Sequence, residues 1–360
     1  MTTRVLHVIA RMNVGGTARY INELITNIPE SKLATGRVQG SEVEDPCVKN
    51  LAIISVRHLG RKISPINDFM AWQELRRIIR KEEPEIVHTH TFKAGLIGRL
   101  VGGKHKRVHT FHGHLFGDGS FTLFEKGLIT LVEKILSRRT DLFISVGKKV
   151  GVELRSQGIG FNKVWESIPP GVKSLPSHNK QEARELLGIR WDGVVFGWLA
   201  RMAEVKNPSL LLEIARNLPS VRFVMAGGGN LLATVKAEAP ENVLVLGWID
   251  PSLFWAAVDC AISTSDNEGM PIALIEAQLS QIPVIAPDVG STTEVFEAGV
   301  SGIVVNRDAL SFAKAIESLS NDAIKRHKMG LAGQIFAKSC FSINNMIKKH
   351  ESVYNKILLE

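Results

Sequence analysis

The sequence predicts an α/β protein of two halves, each a parallel sheet flanked by helices, with a helical C-terminal tail. Three observations predict it. Short β-branched runs alternate with helix-period segments along all 360 residues, the pattern of repeated strand–helix–strand units. The alternation breaks once, at Pro169-Pro170-Gly171 and the polar stretch Ser174 to Asn179, then restarts, as an interdomain linker would make it. The length suits two domains that each bury a core, and 44% apolar with 22% charged residues is ordinary for a globular chain.

In the first half, residues 4–10, 51–55, 85–89, 107–111, 141–146 and 163–168 read as strands, and 16–28, 66–82, 92–101, 121–139 and 148–157 as helices. The stretch 31–50 shows no clear strand. Within 121–139, Phe124, Leu128, Leu131, Val132 and Ile135 recur at helical spacing with charges opposite, so the expectation is a face packed on the core and not on a membrane. After the linker, strands are expected at 193–199, 221–226, 243–247, 258–264, 283–286 and 302–305, and helices at 181–187, 208–218, 231–238, 271–280, 292–298 and 309–318. The tail from Asn321 to Leu359 reads as helical with a break near Phe341. The expected division is therefore 1–170, 171–340 and a terminal helix, 341–360, that crosses back to the first domain. Two such halves imply a cleft between them, and ligands of these sheets bind at the carboxyl ends of the strands.

Charge and cysteines narrow the function classes. Lys and Arg outnumber Asp and Glu by 26 to 16 in residues 1–170 and trail by 18 to 20 in the remainder. Basic clusters stand at Arg76-Arg77 with Arg80-Lys81, at 104–107, at Lys134 with Arg138-Arg139, and at Lys148-Lys149. These are either solvated helix faces or a surface for an anionic membrane or a phosphate-bearing acceptor. Nucleic acid is not expected, because no zinc-finger spacing, RNA-recognition signature or basic helix interleaved with aromatics occurs. Three scattered cysteines, Cys47, Cys260 and Cys340, suggest neither a disulfide framework nor zinc and fit a reducing cytoplasm. No apolar run approaches the roughly 18–20 residues of a membrane span, and residues 1–10 read as a buried first strand rather than a secretory leader.

The strongest motif runs from Thr264 through Glu268-Gly269-Met270-Pro271 to Glu276-Ala277. Glu268 ends a strand-to-helix loop, Gly269 permits close backbone approach, and Pro271 suits a first helical turn. Free amides at such a helix start favour phosphate or sugar oxygens, and two carboxylates here can accept hydrogen bonds from a sugar and a ribose. A second motif, Gly197 to Arg201 and on to Lys206-Asn207-Pro208, places a planar cationic fork and a mobile point charge on one loop, able to clamp a diphosphate. Weaker signals are Val14-Gly15-Gly16-Thr17 after the first strand, Phe111-His112-Gly113-His114, His88-Thr89-His90 and Met225-Ala226-Gly227-Gly228-Gly229. Alone, each has a plain structural explanation: a tight turn, an exposed loop cation or a hydrogen-bonded core imidazole.

Together they resemble glycosyltransferase family four, whose signature is two glutamates separated by seven residues, and the resemblance covers nearly the whole chain. It implies the GT-B architecture, two Rossmann-like domains facing across a cleft, and transfer of a hexose or N-acetylhexosamine from a nucleotide-diphosphate sugar with retention of configuration. It assigns catalytic roles to Arg201, Lys206, Glu268 and His112, and donor contacts to Gly15, Gly16, Gly228, Gly229, Gly269, Met270, Pro271, Ile275 and Glu276. His88 and His90 read as scaffold. Departures are Ala200, Gln281 and Ser291 where the family commonly has glycine. The wording of the motifs is most similar to bacterial members that use UDP-sugars to build surface polysaccharides. That implies a glycan or polyprenol-linked acceptor at the cytoplasmic membrane face, no cofactor beyond the donor substrate, and no metal. A sugar-nucleotide epimerase and a non-catalytic sugar-nucleotide-binding protein of the same architecture stay open as alternatives.

Overall fold

A computed structural model describes residues 3–38, 42–60, 63–113 and 122–359. His114 and Phe121, which the sequence reading included in a motif and a helix, lie outside these residues. The described chain divides into two compact units: one runs to Gly171 and adds 343–359, the other is Val172–Ser342.

The first unit is a seven-stranded parallel sheet of β1 (Val5–Ile9), β2 (Ser31–Thr35), β3 (Ile53–Ser55), β4 (Ile86–His90), β5 (Lys106–Phe111), β6 (Leu142–Ser145) and β7 (Val164–Ser167). Their spatial order is β3-β2-β1-β4-β5-β6-β7. The second unit is a six-stranded parallel sheet of β8 (Val195–Leu199), β9 (Arg222–Ala226), β10 (Val243–Val245), β11 (Cys260–Ile262), β12 (Val284–Pro287) and β13 (Gly302–Val305), in the order β10-β9-β8-β11-β12-β13. Both are doubly wound, Rossmann-like sheets in which the strand order reverses once, at β1/β4 and at β8/β11. Helices on both faces bury the strands, which is why β1 and β4 are apolar or buried at every position and do not alternate.

Three expectations need correction. β2 lies within 31–50 and pairs with β1 from Val5↔Ser31 to Ile9↔Thr35; Ser31 and Lys32 at its start hid it from an apolar-run reading. Residues 292–298 form only a short 3-10 turn, Thr292–Glu294. A longer helix is pre-empted there: the Val295 carbonyl accepts from Gln278 Nε2, and Ser301 Oγ accepts from the Glu297 amide at 2.9 Å. The helix Leu123–Ser137 presents Phe124, Leu128, Leu131 and Ile135 to solvent, while Ile129, Glu133 and Leu136 face the protein. Its inward contact is polar. Glu133 bonds Arg99 of the helix Phe92–Leu100 at 2.7 and 2.8 Å, both side chains fully buried. Burial pushes the Glu133 carboxyl up, against the pull of the guanidinium beside it.

The C-terminal helix Ile343–Leu359 belongs to the first unit through a buried network of imidazoles. His7 and His88 are neighbours across β1 and β4, and His90 follows two residues later on the same face. His88 Nδ1 meets Tyr354 Oη at 2.6 Å, and its Nε2 meets Thr110 Oγ1 at 2.6 Å. His350 Nδ1 donates to the Met346 carbonyl at 2.9 Å, so its Nε2 accepts from Tyr20 Oη at 3.0 Å. Burial holds these rings neutral: His7 is lowered to about 3, His350 to about 4, and His88 and His90 well below the ordinary imidazole value.

Depressed folded-state values fix the sign of the pH dependence. Below about 6.5 the unfolded imidazoles take up protons while the folded ones do not, so acid favours unfolding. Each buried histidine removes up to about 1.4 kcal/mol per pH unit in that range. Urea midpoints should fall continuously from pH 7.5 to pH 5, and a flat profile across that interval would contradict a neutral buried network.

Candidate functional site

At the β8/β11 switch point of the second unit, two loops leave neighbouring parallel strands in the same direction. One runs from Ala200 to Asn207 and includes a 3-10 turn, Glu204–Lys206, before the helix Pro208–Asn217. The other runs from Ser263 to Pro271 before the helix Ile272–Leu279. Asn207, in the left-handed region at φ 46°, caps the first helix by accepting from the Leu210 amide at 3.1 Å.

Thr264 ties the loops together. Its hydroxyl accepts from Trp198 Nε1 at 2.9 Å and donates to the carbonyls of Asn207 and Lys206 at 2.8 and 3.1 Å. The Asp266 amide donates to the Val205 carbonyl at 2.9 Å. Thus Lys206 Nζ reaches Glu268 Oε1 at 2.6 Å across 62 residues of chain. Ser265 Oγ donates to the same oxygen at 2.7 Å. With Oε1 doubly engaged, Glu268 Oε2 makes no hydrogen bond among the described residues. It is a fixed acceptor open to a hydroxyl. Arg201 is exposed, with neither a hydrogen bond nor an ion pair among the described residues.

Glycines hold the Arg201 loop in place. The Met202 amide donates to the Gly228 carbonyl at 2.8 Å, and the Leu231 amide to Met202 O at 3.1 Å. A Cβ on Gly227, at φ +131°, would lie 1.9 Å from Ala200 O, and one on Gly229, at φ +147°, 2.3 Å from Met202 O. A Cβ on Gly228 would meet Trp248 Nε1 at 2.1 Å. The chain therefore needs glycine at 227 and 229, where a Cβ would strike backbone at a positive φ, to run beside the loop that displays Arg201.

Past Glu268, Gly269 and Met270 are half-buried, and Pro271 occupies the N-cap of the next helix, one position earlier than its first turn. No side chain caps that helix; the Leu274 and Ile275 amides donate to the Pro271 carbonyl at 3.1 and 3.3 Å, which leaves those of Ile272 and Ala273 for other partners. Glu276 is buried a turn inside, and Ile275 is fully buried in the core. Gln281 takes φ 62°, so the position where glycine was expected does require the left-handed region. Elsewhere in this unit a cavity of about 650 Å³ is lined by residues including His178, Lys180, Arg326 and Lys338. It lies beside Asp259 and Pro283, which precede β11 and β12, and so at the amino ends of the strands. Ligands of doubly wound sheets favour the opposite, carboxyl end, where Arg201 and Glu268 are.

In the first unit the corresponding switch point carries Gly15 and Gly16. Gly15 is the N-cap of the helix Gly16–Asn27, at φ 152° with open space around its Cβ position, and no side chain caps the helix. The Val14 amide donates to Val43 O at 2.9 Å, and Arg11 Nη2 to Glu42 Oε1 at 2.7 Å, which pins this loop. His112, half-buried after β5, meets His90 Nδ1 through Nε2 at 3.0 Å and lies edge-on to Tyr20. Burial lowers it to about 3, so it is a neutral imidazole near pH 7. His7, His88 and His90 bring ligand atoms within 4.8 Å of one another. Of their six ring nitrogens, only His7 Nε2 is buried without a partner; the others bond each other, Thr110, Tyr354 and His112. A metal would have to break those bonds, so the set fits a hydrogen-bonded scaffold better than a metal centre. The roles of Thr264, Ser265 and Tyr354 were missed in the sequence, and for Tyr354 no signal existed, because its partner lies 266 residues away.

Comparison with known proteins places these units in context. Residues 14–174 match the family described as Glycosyltransferase Family 4, and residues 179–335 match Glycosyl transferases group 1. EpsF of Bacillus subtilis, named as a glycosyltransferase, is 30% identical over 86% of this chain and 84% of its own. UDP-Gal:alpha-D-GlcNAc-diphosphoundecaprenol alpha-1,3-galactosyltransferase of Escherichia coli is 27% identical over 82% and 81%. Among solved structures, Anabaena Alr3699/HepE in complex with UDP and glucose superposes with a TM-score of 0.83 at 16% identity, covering 98% of this chain and 99% of that one. Sucrose-phosphate synthase from Thermosynechococcus elongatus also gives 0.83, at 17% identity over 99% of each chain.

Thr264→Val keeps the shape of the side chain and removes its three hydrogen bonds, leaving the buried Trp198 N–H without a partner. Urea denaturation should show a loss of about 1–3 kcal/mol. Unchanged stability would mean the loops are held by other contacts.

Proposed function

The chain belongs to glycosyltransferase family 4, with the GT-B fold, and from that premise we propose that it moves a hexose or N-acetylhexosamine from a UDP-sugar to a hydroxyl of a glycan or polyprenol-linked acceptor, with retention of configuration and without a metal. The observation that carries the reading is the contact of Lys206 with Glu268 beside an uncommitted Arg201, at the carboxyl end of the second sheet. The UDP-Gal-using relative and the UDP-bound structural neighbour support the choice of nucleotide.

In this reading Arg201 and Lys206 hold the diphosphate and stabilise the charge that grows on it as the bond to the sugar breaks. Glu268 Oε2 accepts a hydrogen bond from a sugar hydroxyl, and Glu276 one from the ribose. The amides of Ile272 and Ala273 add donors, and Gly269, Met270 and the backbone at 228–229 complete the donor side, while Ile275, its amide on the Pro271 carbonyl, supports the helix from the core. In the first unit Gly15 and Gly16 offer amides, and the neutral His112 offers a polar contact without a charge. The acceptor hydroxyl attacks the anomeric carbon on the face the diphosphate leaves. Its proton passes to the departing phosphate oxygen, and the sugar carries oxocarbenium character in between. Two cations, Lys206 held on Glu268 and Arg201 free to turn onto the diphosphate, do the electrostatic work a metal would otherwise do. A lipid-linked acceptor makes an anionic membrane surface a natural partner for the basic first unit, at the inner face of the cell membrane.

Glu268→Gln should lower transfer about 10²–10³-fold, the scale of removing one preorganised polar group, while UDP still binds. Product formation by mass spectrometry with UDP-glucose, UDP-galactose and UDP-N-acetylglucosamine, alongside calorimetric titration of UDP, measures both. Wild-type transfer rates in the variant would remove Glu268 from the mechanism. Arg201→Ala should weaken UDP binding itself, by about 10–100-fold for a lost charge-assisted contact. Equal affinity in the two proteins would place the diphosphate elsewhere.

A further inference from the structure

We propose that the outer face of the helix Leu123–Ser137 inserts into the headgroup layer of an anionic bilayer, lying in its plane. The inference deepens the membrane partner proposed above and rests on that reading. Where that reading asks only for charge, this one adds a specific apolar contact.

The helix has one side too few for its apolar residues. Ile129 and Leu136 turn inward beside the Arg99–Glu133 pair, which fixes the rotation of the helix on the unit. The opposite side then carries Phe124, Leu128, Leu131 and Ile135 at spacings of three and four residues, each more than half exposed, Phe124 at 80%. Leu123, 88% exposed, extends the stripe at its first residue. A contiguous exposed patch of this kind marks a contact surface.

Its borders say which kind. Lys134 lies beside the stripe, and Arg138 and Arg139 stand exposed where the helix ends. The acidic residues of the helix are both occupied: Glu133 is buried on Arg99, and Glu125 closes a capping box with Thr122. A stripe of large apolar residues with cations toward its C-terminal end, and one exposed acid, Glu125, set at the opposite end in the capping box, is the composition of a helix that lies in an anionic interface. At 15 residues the helix is about 22 Å long, and one side is committed to the protein, so it can only lie flat. No helix among the described residues is long and apolar enough to cross a membrane.

The test is co-flotation of the full chain with vesicles of phosphatidylcholine and phosphatidylglycerol, 3:1 on the order used for anionic interfaces, against phosphatidylcholine alone. Leu131→Gln with Ile135→Gln, which removes apolar surface without changing the charge, should lower the apparent vesicle affinity about tenfold or more. The melting midpoint and UDP binding should stay unchanged, because both side chains are exposed. The emission that Phe124→Trp adds over the six native tryptophans, read as a difference from wild type, should shift to the blue on anionic vesicles. Wild-type binding by the double variant would overturn the insertion, and if that binding also vanished at high salt, charge attraction alone would stand. A concentration-dependent dimer in sedimentation, lost in the double variant together with any lipid effect, would instead make this face a contact between copies and would equally overturn the proposal.

Discussion

Everything chemical in the second unit depends on one hydroxyl and the strand order around it. A parallel sheet whose order reverses between β8 and β11 sends two loops off the same end, side by side. Thr264 then fastens one to the other through the carbonyls of Lys206 and Asn207, and Trp198 holds the threonine from beneath. Because the backbone is fixed and Ser265 already holds the Glu268 carboxylate, the pairing with the Lys206 ammonium costs less ordering than in an exposed ion pair. The pairing consumes one carboxylate oxygen and leaves the other without a hydrogen bond among the described residues. A site that has to recognise hydroxyls beside a diphosphate needs such a division: a cation already placed, and an acceptor that cannot turn away.

The first unit solves a different problem. Its sheet buries polar rings where a doubly wound fold normally packs aliphatic side chains. The chain His7–His90–His112 and the contacts of His88 and His350 with Tyr354 and Tyr20 satisfy nearly all of their nitrogens. They also anchor the terminal helix. The cost is sensitivity to acid, since each imidazole must stay neutral to remain inside. The gain is that His112 is oriented by a partner which is itself oriented.

Much of this was legible in the sequence. Strand-and-helix alternation gave both sheets, and the cations at Arg201 and Lys206 with the acids at Glu268 and Glu276 stood out through the resemblance of their motifs to the family's. What escaped did so for physical reasons. β2 begins with Ser31 and Lys32, so burial begins only at Leu33. The turn at 292–294 is cut short by a side chain, Gln278, that arrives from another helix. In the helix Leu123–Ser137 the periodicity was read correctly and its side wrongly. A stripe of leucines normally marks the core, and only the buried pair of Arg99 with Glu133 shows that the helix is turned the other way. Long-range hydrogen bonds such as those of Thr264 and Tyr354 leave no local pattern at all.

The central claim is that the loops after β8 and β11 receive the diphosphate of a nucleotide sugar. A crystal structure of the protein with UDP bound tests it most directly. The account requires β-phosphate oxygens about 3 Å from the Arg201 guanidinium and the Lys206 ammonium, with the ribose hydroxyls on Glu276. Density for UDP in the cavity lined by His178, Lys180 and Arg326, with the Arg201 loop empty, would contradict it.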